Sequence, residues 1–494
     1  MKILSAAHAR DWEAATLRGD AEEGRLMRIA VEGLFQFIHT RFQQEQVLIL
    51  AGKGNNGNDA LWLGYRLRAE GRAVHSLLSH SADERVSTGR QEIPEMEKAA
   101  AVWPLHPDAL DPLAPPTLII DGLLGQGVRG NPRGVSAEII EWTMASVRPC
   151  DTICSIDVPS GFDLESGRPG SPCLHAHTTL TIGTAKEEIL AEAALPAIGR
   201  LHGIPIPLKA PGPEAQGDFI DLQFVRQAIR PLSAGTYKHR QGSVAVWAGS
   251  PGMAGAAILA SRAALRAGAG LVRCFCHPDI YPLLATATPE VMVESLPPAE
   301  PLPDNALEAD AIIAGPGIGL DNLSWNRLHH LIQHRSGPLI LDADALRLLA
   351  DHPDVLSQLS DETILTPHWG EFQALQPDAP QDRFEAARTW MASRHQTCLV
   401  LKGPHTFTAQ PGSGLTANGS GNPGMASAGM GDVLAGILGG LCASGYPPSL
   451  AAPLGVYWHG DAADHAVRES GEPSLIASDV IDALGGAWHT YGAA

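Results

Sequence analysis

Basic residues are scarce in this chain. Thirty-five Lys+Arg stand against 54 Asp+Glu, a formal net charge of -19 over 494 residues. No Lys/Arg cluster interrupts that balance, which argues against a nucleic-acid surface; the acidity favours solubility and says little about fold. Long apolar runs are absent as well. No stretch of about 18 apolar residues occurs, so no membrane-spanning helix is expected. Met1-Lys2-Ile3-Leu4-Ser5 passes into a charged helical pattern without the apolar segment of a secretion signal, and a cytoplasmic location is the expectation. The seven cysteines are an odd number and scattered. Cys150/Cys154 and Cys274/Cys276 are the close pairs, and neither has a second pair at metal-site spacing, so reduced thiols are expected. No repeat with a period of about 20–50 residues is visible.

Core material, by contrast, is ample. Hydrophobic residues make up 44% and charged residues 18% of a chain too long for one ordinary core, so two or three domains are expected. Short β-type runs alternate with helical patterns. Residues 46–51, 117–120 and 152–156 read as strands, with a helix over about 59–70 after the first. The pattern stops at residues 207–217, whose Pro and Gly content is linker chemistry. A second series follows at 243–248, 311–314, 339–341 and 397–401. The expected domains are therefore 1–211 and 218–494. Each is α/β, three-layered and doubly wound, with ligands at the carboxyl ends of its strands.

One stretch is the richest in chemistry. Asn422-Pro423-Gly424-Met425-Ala426-Ser427-Ala428-Gly429-Met430-Gly431-Asp432 runs straight into the apolar Val433-Leu434-Ala435-Gly436-Ile437. It reads as a glycine turn feeding a helix. Small residues let backbone amides approach an anion, and the helix N-terminus adds partial positive charge. Asp432 can take a proton from a hydroxyl while those amides hold a phosphoryl group. Other strand ends supply companions. Gly315-Pro316-Gly317-Ile318-Gly319 is a rigid turn, and Asp342 with Asp344 offers helix capping by one carboxylate and a phosphate-bound Mg²⁺ at the other. Thr366-Pro367-His368-Trp369-Gly370-Glu371 brings a histidine to a strand exit, and Lys402-Gly403 ends a further strand with a cation. In the first half, Gly52-Lys53-Gly54-Asn55-Asn56-Gly57-Asn58-Asp59, Asp121-Gly122-Leu123-Leu124-Gly125-Gln126-Gly127 and Asp157-Val158-Pro159-Ser160-Gly161 are polar, glycine-rich strand ends. In one sheet they converge on one crevice, and their oxygens suit a hard cation.

The first-half motifs resemble the N-terminal domain of NAD(P)H-hydrate epimerases, whose pattern is G-x-G-N-N-G-G-D-G, D-x-L-x-G-T-G and D-I-P-S-G. The resemblance implies a Rossmann-like domain that binds hydrated nicotinamide nucleotide. Its binding residues would be Asn55, Asn56, Gly57, Asn58 and Asp59, together with Gly125, Gln126, Gly127, Val128, Arg129, Gly130 and Asn131. It also implies Asp157 as substrate-binding acid/base, and a potassium ion held by Asn56, Asp121 and Ser160. Asn58 and Ala60 replace glycines of the pattern, and Gln126 replaces its threonine.

The second-half motifs, Ala314-Gly315-Pro316-Gly317, Asp342-Ala343-Asp344-Ala345-Leu346, Thr366-Pro367-His368, Val400-Leu401-Lys402-Gly403 and Gly429-Met430-Gly431-Asp432, resemble ADP/ATP-dependent NAD(P)H-hydrate dehydratases of the ribokinase-like superfamily. The resemblance implies that Ala256, Gly317 and His368 contact the hydrated nucleotide. Lys402, Gly403, Pro404, His405, Thr406 and Gly431 would hold the adenine nucleotide, and Asp432 would face the substrate hydroxyl as the catalytic base. Trp369 and Ala428 depart from the pattern, and residues 238–242 keep only Lys238 and Gly242 of a K-G-x-x-G segment. Together the halves resemble a bifunctional repair enzyme that epimerises the R and S forms of NAD(P)H hydrate. It would dehydrate the S form with ADP and Mg²⁺, phosphorylating the hydroxyl and then eliminating phosphate. A homo-oligomer with small-molecule substrates, no nucleic acid and no membrane partner is expected. Two other readings of the residues stay open: a superfamily kinase acting on a vitamin precursor or sugar, and a nucleotide-binding scaffold or sensor without turnover.

Overall fold

The computed structural model describes residues 1–16, 20–80, 101–102, 115–209, 215–231, 241–297, 299–393, 396–410 and 412–492. Lys238 and linker residues 210–214 lie outside the described residues. The chain divides into two units, Met1–Asp221 and Leu222–Ala494. In the first, Gly217–Ile220 runs antiparallel to Lys2–Leu4, and the Met1 amino group lies 3.1 Å from Asp221, so the segment beyond the linker is held to the unit's own N-terminus.

The main sheet of the first unit has the spatial order Arg200–Ile204, Thr178–Ile182, Thr152–Ile156, Thr117–Gly122, Gln46–Ala51, Ala73–Leu78, Ala101–Val102, and its neighbours are parallel. Alternation along one strand builds three layers. Val47, Ile49 and Ala51 pack with Leu34, Ile38, Leu63 and Leu67 of the helices Asp20–Arg41 and Asn55–Ala69. Leu48 and Leu50 point the other way, to Ile139 and Ile140 of the helix Val135–Ser146. The order in which successive strands are laid down reverses between the parallel neighbours Gln46–Ala51 and Thr117–Gly122, and the crevice at such a switch point is where doubly wound sheets bind ligands.

The helix expected over about 59–70 begins earlier, at Asn55. A Cβ on Gly57 would stand 1.9 Å from the Gly52 carbonyl oxygen, so the missing side chain is what lets the first helical turn press against the strand exit. The Gly-Asn-Asn-Gly segment is therefore helix start, not loop, and Asp59 falls in the second turn.

The second unit has the order Gly414–Asn418, Thr406–Gln410, Cys398–Leu401, Thr363–Leu365, Leu339–Leu341, Ala311–Ala314, Ser243–Trp247, Leu271–Cys276, Met292–Ser295. Its strands are parallel except for the hairpin 406–418 and the pairing of that hairpin with Cys398–Leu401. Its switch point lies between Ser243–Trp247 and Ala311–Ala314. The helix Met430–Ala443 crosses the helix Ala254–Arg266 at close range, because Cβ atoms on Gly436 and Gly440 would lie 2.4 and 2.6 Å from the carbonyl oxygens of Ala260 and Ala264. That packing fixes where Asp432 sits. Among the described residues no helix is long and apolar enough to cross a membrane. All seven cysteines are free thiols, Cys150 exposed and the rest buried.

Candidate active sites

At the switch point of the first unit lies a cavity of about 1310 Å³. Asn55, Asn56, Gly57, Gly125, Gln126, Gly127, Val128, Arg129, Asn131 and Asp157 line it. Asn58 and Asp59 are buried behind them, and Gly130 is not part of the lining. Among the described residues, both polar atoms of the Asn58 side chain and Oδ1 of Asp59 lack hydrogen-bond partners. Burial pushes the Asp59 carboxyl well above the usual range, and the charges of Asp157 and Glu23 add to the effect.

Asp157 has φ 65°, a left-handed conformation that costs energy for a residue with a Cβ. Its Oδ1 accepts from the Ile182 amide at 3.1 Å and from Thr181 Oγ1 at 3.4 Å, and it pairs with Lys186. Both side chains of that pair are buried, at 5% and 0% exposure. Lys186 gives no motif signal in the sequence. Only its place at the end of the strand Thr184–Lys186, beside the cavity wall, makes it part of the site. Glu13 and Arg10 reach the same cavity from the helix Ala6–Thr16, again without a sequence signal beyond helical charge.

Asn56, Asp121 and Ser160 are brought together. Ser160 donates to Asp121 through its amide (2.8 Å) and through Oγ, and Ser155 Oγ donates at 2.7 Å. Ser160 Oγ accepts from the Leu124 amide at 2.8 Å, and Asn56 Nδ2 donates to the carbonyls of Leu124 (3.1 Å) and Ile156 (2.9 Å). Burial raises the Asp121 carboxyl against the pull of these hydrogen bonds. One buried carboxylate with the Ser155 and Ser160 hydroxyls beside it supplies oxygen donors of the kind a hard cation takes.

In the second unit Gly429 has φ 91° and caps the helix Met430–Ala443. A Cβ on Gly429 would meet Leu259 at 2.6 Å, so glycine is needed both for conformation and for space. The first intrahelical donor is the Val433 amide, bonded to the Gly429 carbonyl at 3.1 Å. The amides of Met430, Gly431 and Asp432 precede it, as at any helix start. A Cβ on Gly431 would stand 3.2 Å from Lys402 Nζ and 3.3 Å from Asp342 Oδ2. Lys402 Nζ pairs with Asp342 Oδ1 at 2.8 Å, and Thr366 Oγ1 donates to the same oxygen at 2.9 Å. Burial pushes the Asp432 carboxyl up to about 7, with the Asp342 charge adding and Lys402 opposing.

Neither Asp342 nor Asp344 caps a helix. Asp342 holds Lys402, and Asp344 Oδ2 instead accepts from the Gly319 amide at 3.0 Å, pinning the 315–319 turn. That turn meets the other strand exit, where the Gly249 amide donates to the Pro316 carbonyl at 2.8 Å and buried Gly317 packs on Met253. Ala256 lies in the first turn of the helix Ala254–Arg266. His368 caps the helix Trp369–Leu375. Its Nδ1 accepts from the Glu371 amide at 3.2 Å, and its backbone bridges to Lys402. Thr406 Oγ1 closes the 403–406 turn by donating to the Gly403 carbonyl at 3.2 Å, and Pro404 is exposed at its tip. His405 is buried, and neither ring nitrogen is bonded among the described residues; burial and the nearby Arg383 push it down to about 4. His459, which the sequence did not single out, is also buried and pushed down to about 4, by burial first and then by Lys402.

Two doubly wound α/β domains, each with its polar strand ends gathered at the switch point, define a nucleotide-handling protein with a ribokinase-like second half. Residues 244–485 match the family model described as NAD(P)H-hydrate dehydratase, and residues 23–188 match that of the YjeF-related protein N-terminus. The chain is 33% identical over 478 residues to the bifunctional NAD(P)H-hydrate repair enzyme Nnr of Moorella thermoacetica, spanning 92% of this chain and 89% of that protein. It is 32% identical over 474 residues to the protein of the same name from Escherichia coli, spanning 93% and 88%. Among solved structures, a ribokinase-like superfamily protein from Enterococcus faecalis superposes with a TM-score of 0.51 at 26% identity, over 57% of this chain and 99% of that one. The chain belongs to the family of bifunctional NAD(P)H-hydrate repair enzymes.

Proposed function

We propose that the first unit epimerises hydrated NADH or NADPH and that the second dehydrates the S epimer with ADP. The observation that carries the reading is the convergence of Asp432, Lys402 and Asp342 about Gly431, where no Cβ intervenes, at a helix start. A base with its pKa near the operating pH thus stands beside a cation and a set of backbone donors.

In this reading Asp432 takes the proton of the substrate hydroxyl. The oxygen bonds to the β-phosphorus of ADP as the bond to AMP breaks. Lys402 and the amides around Gly431 balance the charge on the phosphoryl group in flight. The electron pair of the ring nitrogen then expels phosphate, and loss of a proton from the adjacent carbon restores the dihydropyridine. Hydrate and ADP become NAD(P)H, AMP and phosphate. Ala256, Gly317 and the outer face of His368 would bound the hydrated nucleotide. Gly403, Pro404, His405 and Thr406 would lie along ADP, with Asp342 as the oxygen donor on the protein side for Mg²⁺. In the first unit Asn56, Asp121 and Ser160 would hold K⁺, which supplies a fixed positive charge at the cavity wall, and Asp157 would exchange a proton with the hydrated carbon's substituent.

The test is to incubate the protein with hydrated NADH and ADP. Recovery of the reduced-nicotinamide absorbance with one AMP formed per NADH is expected. A stable phosphorylated product without recovered NADH would overturn the reading in favour of a superfamily kinase. Without ADP, interconversion of the two epimers, resolved by chromatography, tests the first unit.

A further inference from the structure

The cavity of the first unit holds a second carboxyl that no motif marks. Glu13 comes from the helix Ala6–Thr16 and Asp157 from the end of the strand Thr152–Ile156, and both line the same space. Their settings differ. Asp157 is ion-paired with buried Lys186. Glu13 instead receives the Gln126 amide, whose Nε2 lies 3.4 and 3.2 Å from its two oxygens. Gln126 Oε1 is buried and has no partner among the described residues. A half-turn of that amide, which exchanges its donor and acceptor ends, would let Oε1 accept a hydrogen bond from a neutral Glu13. The Glu13–Gln126 pair can thus hold this carboxyl in either protonation state. Burial pushes the Glu13 carboxyl up and the Asp157 charge adds to this, while Lys186, Gln126 and Arg10 pull it down.

We propose that Glu13 is a catalytic acid of the epimerisation, working with Asp157 as base and held by Gln126. The inference rests on the epimerase reading given above. Glu13 gives its proton to the hydroxyl on the hydrated carbon, the C–O bond breaks with its electron pair leaving in water, and the ring nitrogen's pair forms the C=N bond. Water then adds to the opposite face, its electron pair forming the new C–O bond while the C=N pair returns to nitrogen, and Asp157 takes the proton released. The hydrate is regenerated with inverted configuration and no net change in atoms. The reverse reaction uses the same two groups with acid and base exchanged, so one site serves both epimers.

The test follows, without ADP, the interconversion of the two hydrate epimers resolved by chromatography, with the spontaneous rate subtracted. Glu13→Gln is expected to lower kcat about 100-fold, to leave KM within about threefold, and to abolish the alkaline limb of the pH–rate profile. Glu13→Asp should restore that limb. ADP-dependent dehydration by the same Glu13→Gln sample reports that the second unit is folded, and the retained KM for epimerisation with the rescue by Glu13→Asp reports the same of the first. Epimerisation by Glu13→Gln within threefold of wild type, or an alkaline limb that survives in it, overturns the proposal. A wild-type protein that does not exceed the spontaneous rate would instead overturn the epimerase reading, so the two failures are read from different samples.

Discussion

Asp432→Asn separates what the residue does for catalysis from what it costs the fold. Burial and the Asp342 charge raise the Asp432 carboxyl from about 3.8 in an unfolded chain to about 7 in the folded one. The folded state therefore binds more protons than the unfolded state between those values, and stability falls as pH rises through that window. At about 1.36 kcal/mol per pKa unit, ionised Asp432 destabilises the protein by about 4 kcal/mol at pH 8 and by less than about 1 kcal/mol at pH 4. Asn has nearly the same volume and no charge. The variant is expected to be more stable than wild type by about 2–4 kcal/mol at pH 8, the lower figure allowing for the lost attraction to Lys402, and to match it near pH 4. For a domain of this size that is a rise in Tm of roughly 5–10 °C at pH 8. Thermal unfolding of both proteins across pH 4–8, with nucleotide-dependent dehydration measured in parallel, is the assay. Turnover should be lost, by at least about 100-fold. A variant that is less stable at pH 8, or a gain that does not change with pH, would show that Asp432 is not an ionised, poorly solvated group. Near-normal turnover would remove it as the base.

The same carboxyl sets the pH dependence of the second reaction. As the base must be ionised, the dehydration rate should fall below about pH 7 with a slope of one and level off above it, and a flat profile down to pH 5 would contradict this. Gly431→Ala adds a Cβ within 3.3 Å of Lys402 Nζ and Asp342 Oδ2. Since Ala favours helix, stability should hold within about 1 kcal/mol while the KM for ADP rises at least about tenfold; an unchanged KM would place the phosphate elsewhere. Lys186→Met leaves Asp157 buried without its cation and should cost about 3–5 kcal/mol of stability, read by denaturant unfolding. A loss under about 1 kcal/mol would mean that Asp157 is not held as an ion.

The parts legible in the sequence were those in which one local segment does the whole job. An anion site made of backbone amides needs small residues and a carboxylate in consecutive positions, so Gly429-Met430-Gly431-Asp432 was readable without any contact known. Strand ends were readable for the same reason, because apolar runs buried on both faces of a parallel sheet stop at Gly or Asp. The helix start at Asn55 was not, since Asn and Gly favour turns and only the contact of Gly57 with the Gly52 carbonyl forces helix there. Nor was the Lys402–Asp342 pair, 60 residues apart, which depends on Leu339–Leu341, Thr363–Leu365 and Cys398–Leu401 lying side by side.

The first cavity carries that distinction furthest. Every sequence-derived candidate there lay on a glycine-rich strand end, because that is where a pattern can form. Its charged framework comes from Glu13 and Lys186, single residues on a helix and an edge strand that no spacing marks. Gln126 joins the two kinds. It was visible only as a departure from the family's threonine, and a threonine hydroxyl at that position would be shorter and would not carry separate donor and acceptor ends. The longer amide reaches Glu13 and keeps an unused acceptor beside it. The departure from the pattern thus supplies the contact on which the second carboxyl depends, and Gln126→Thr, by removing it, should move the alkaline limb of epimerisation without touching dehydration.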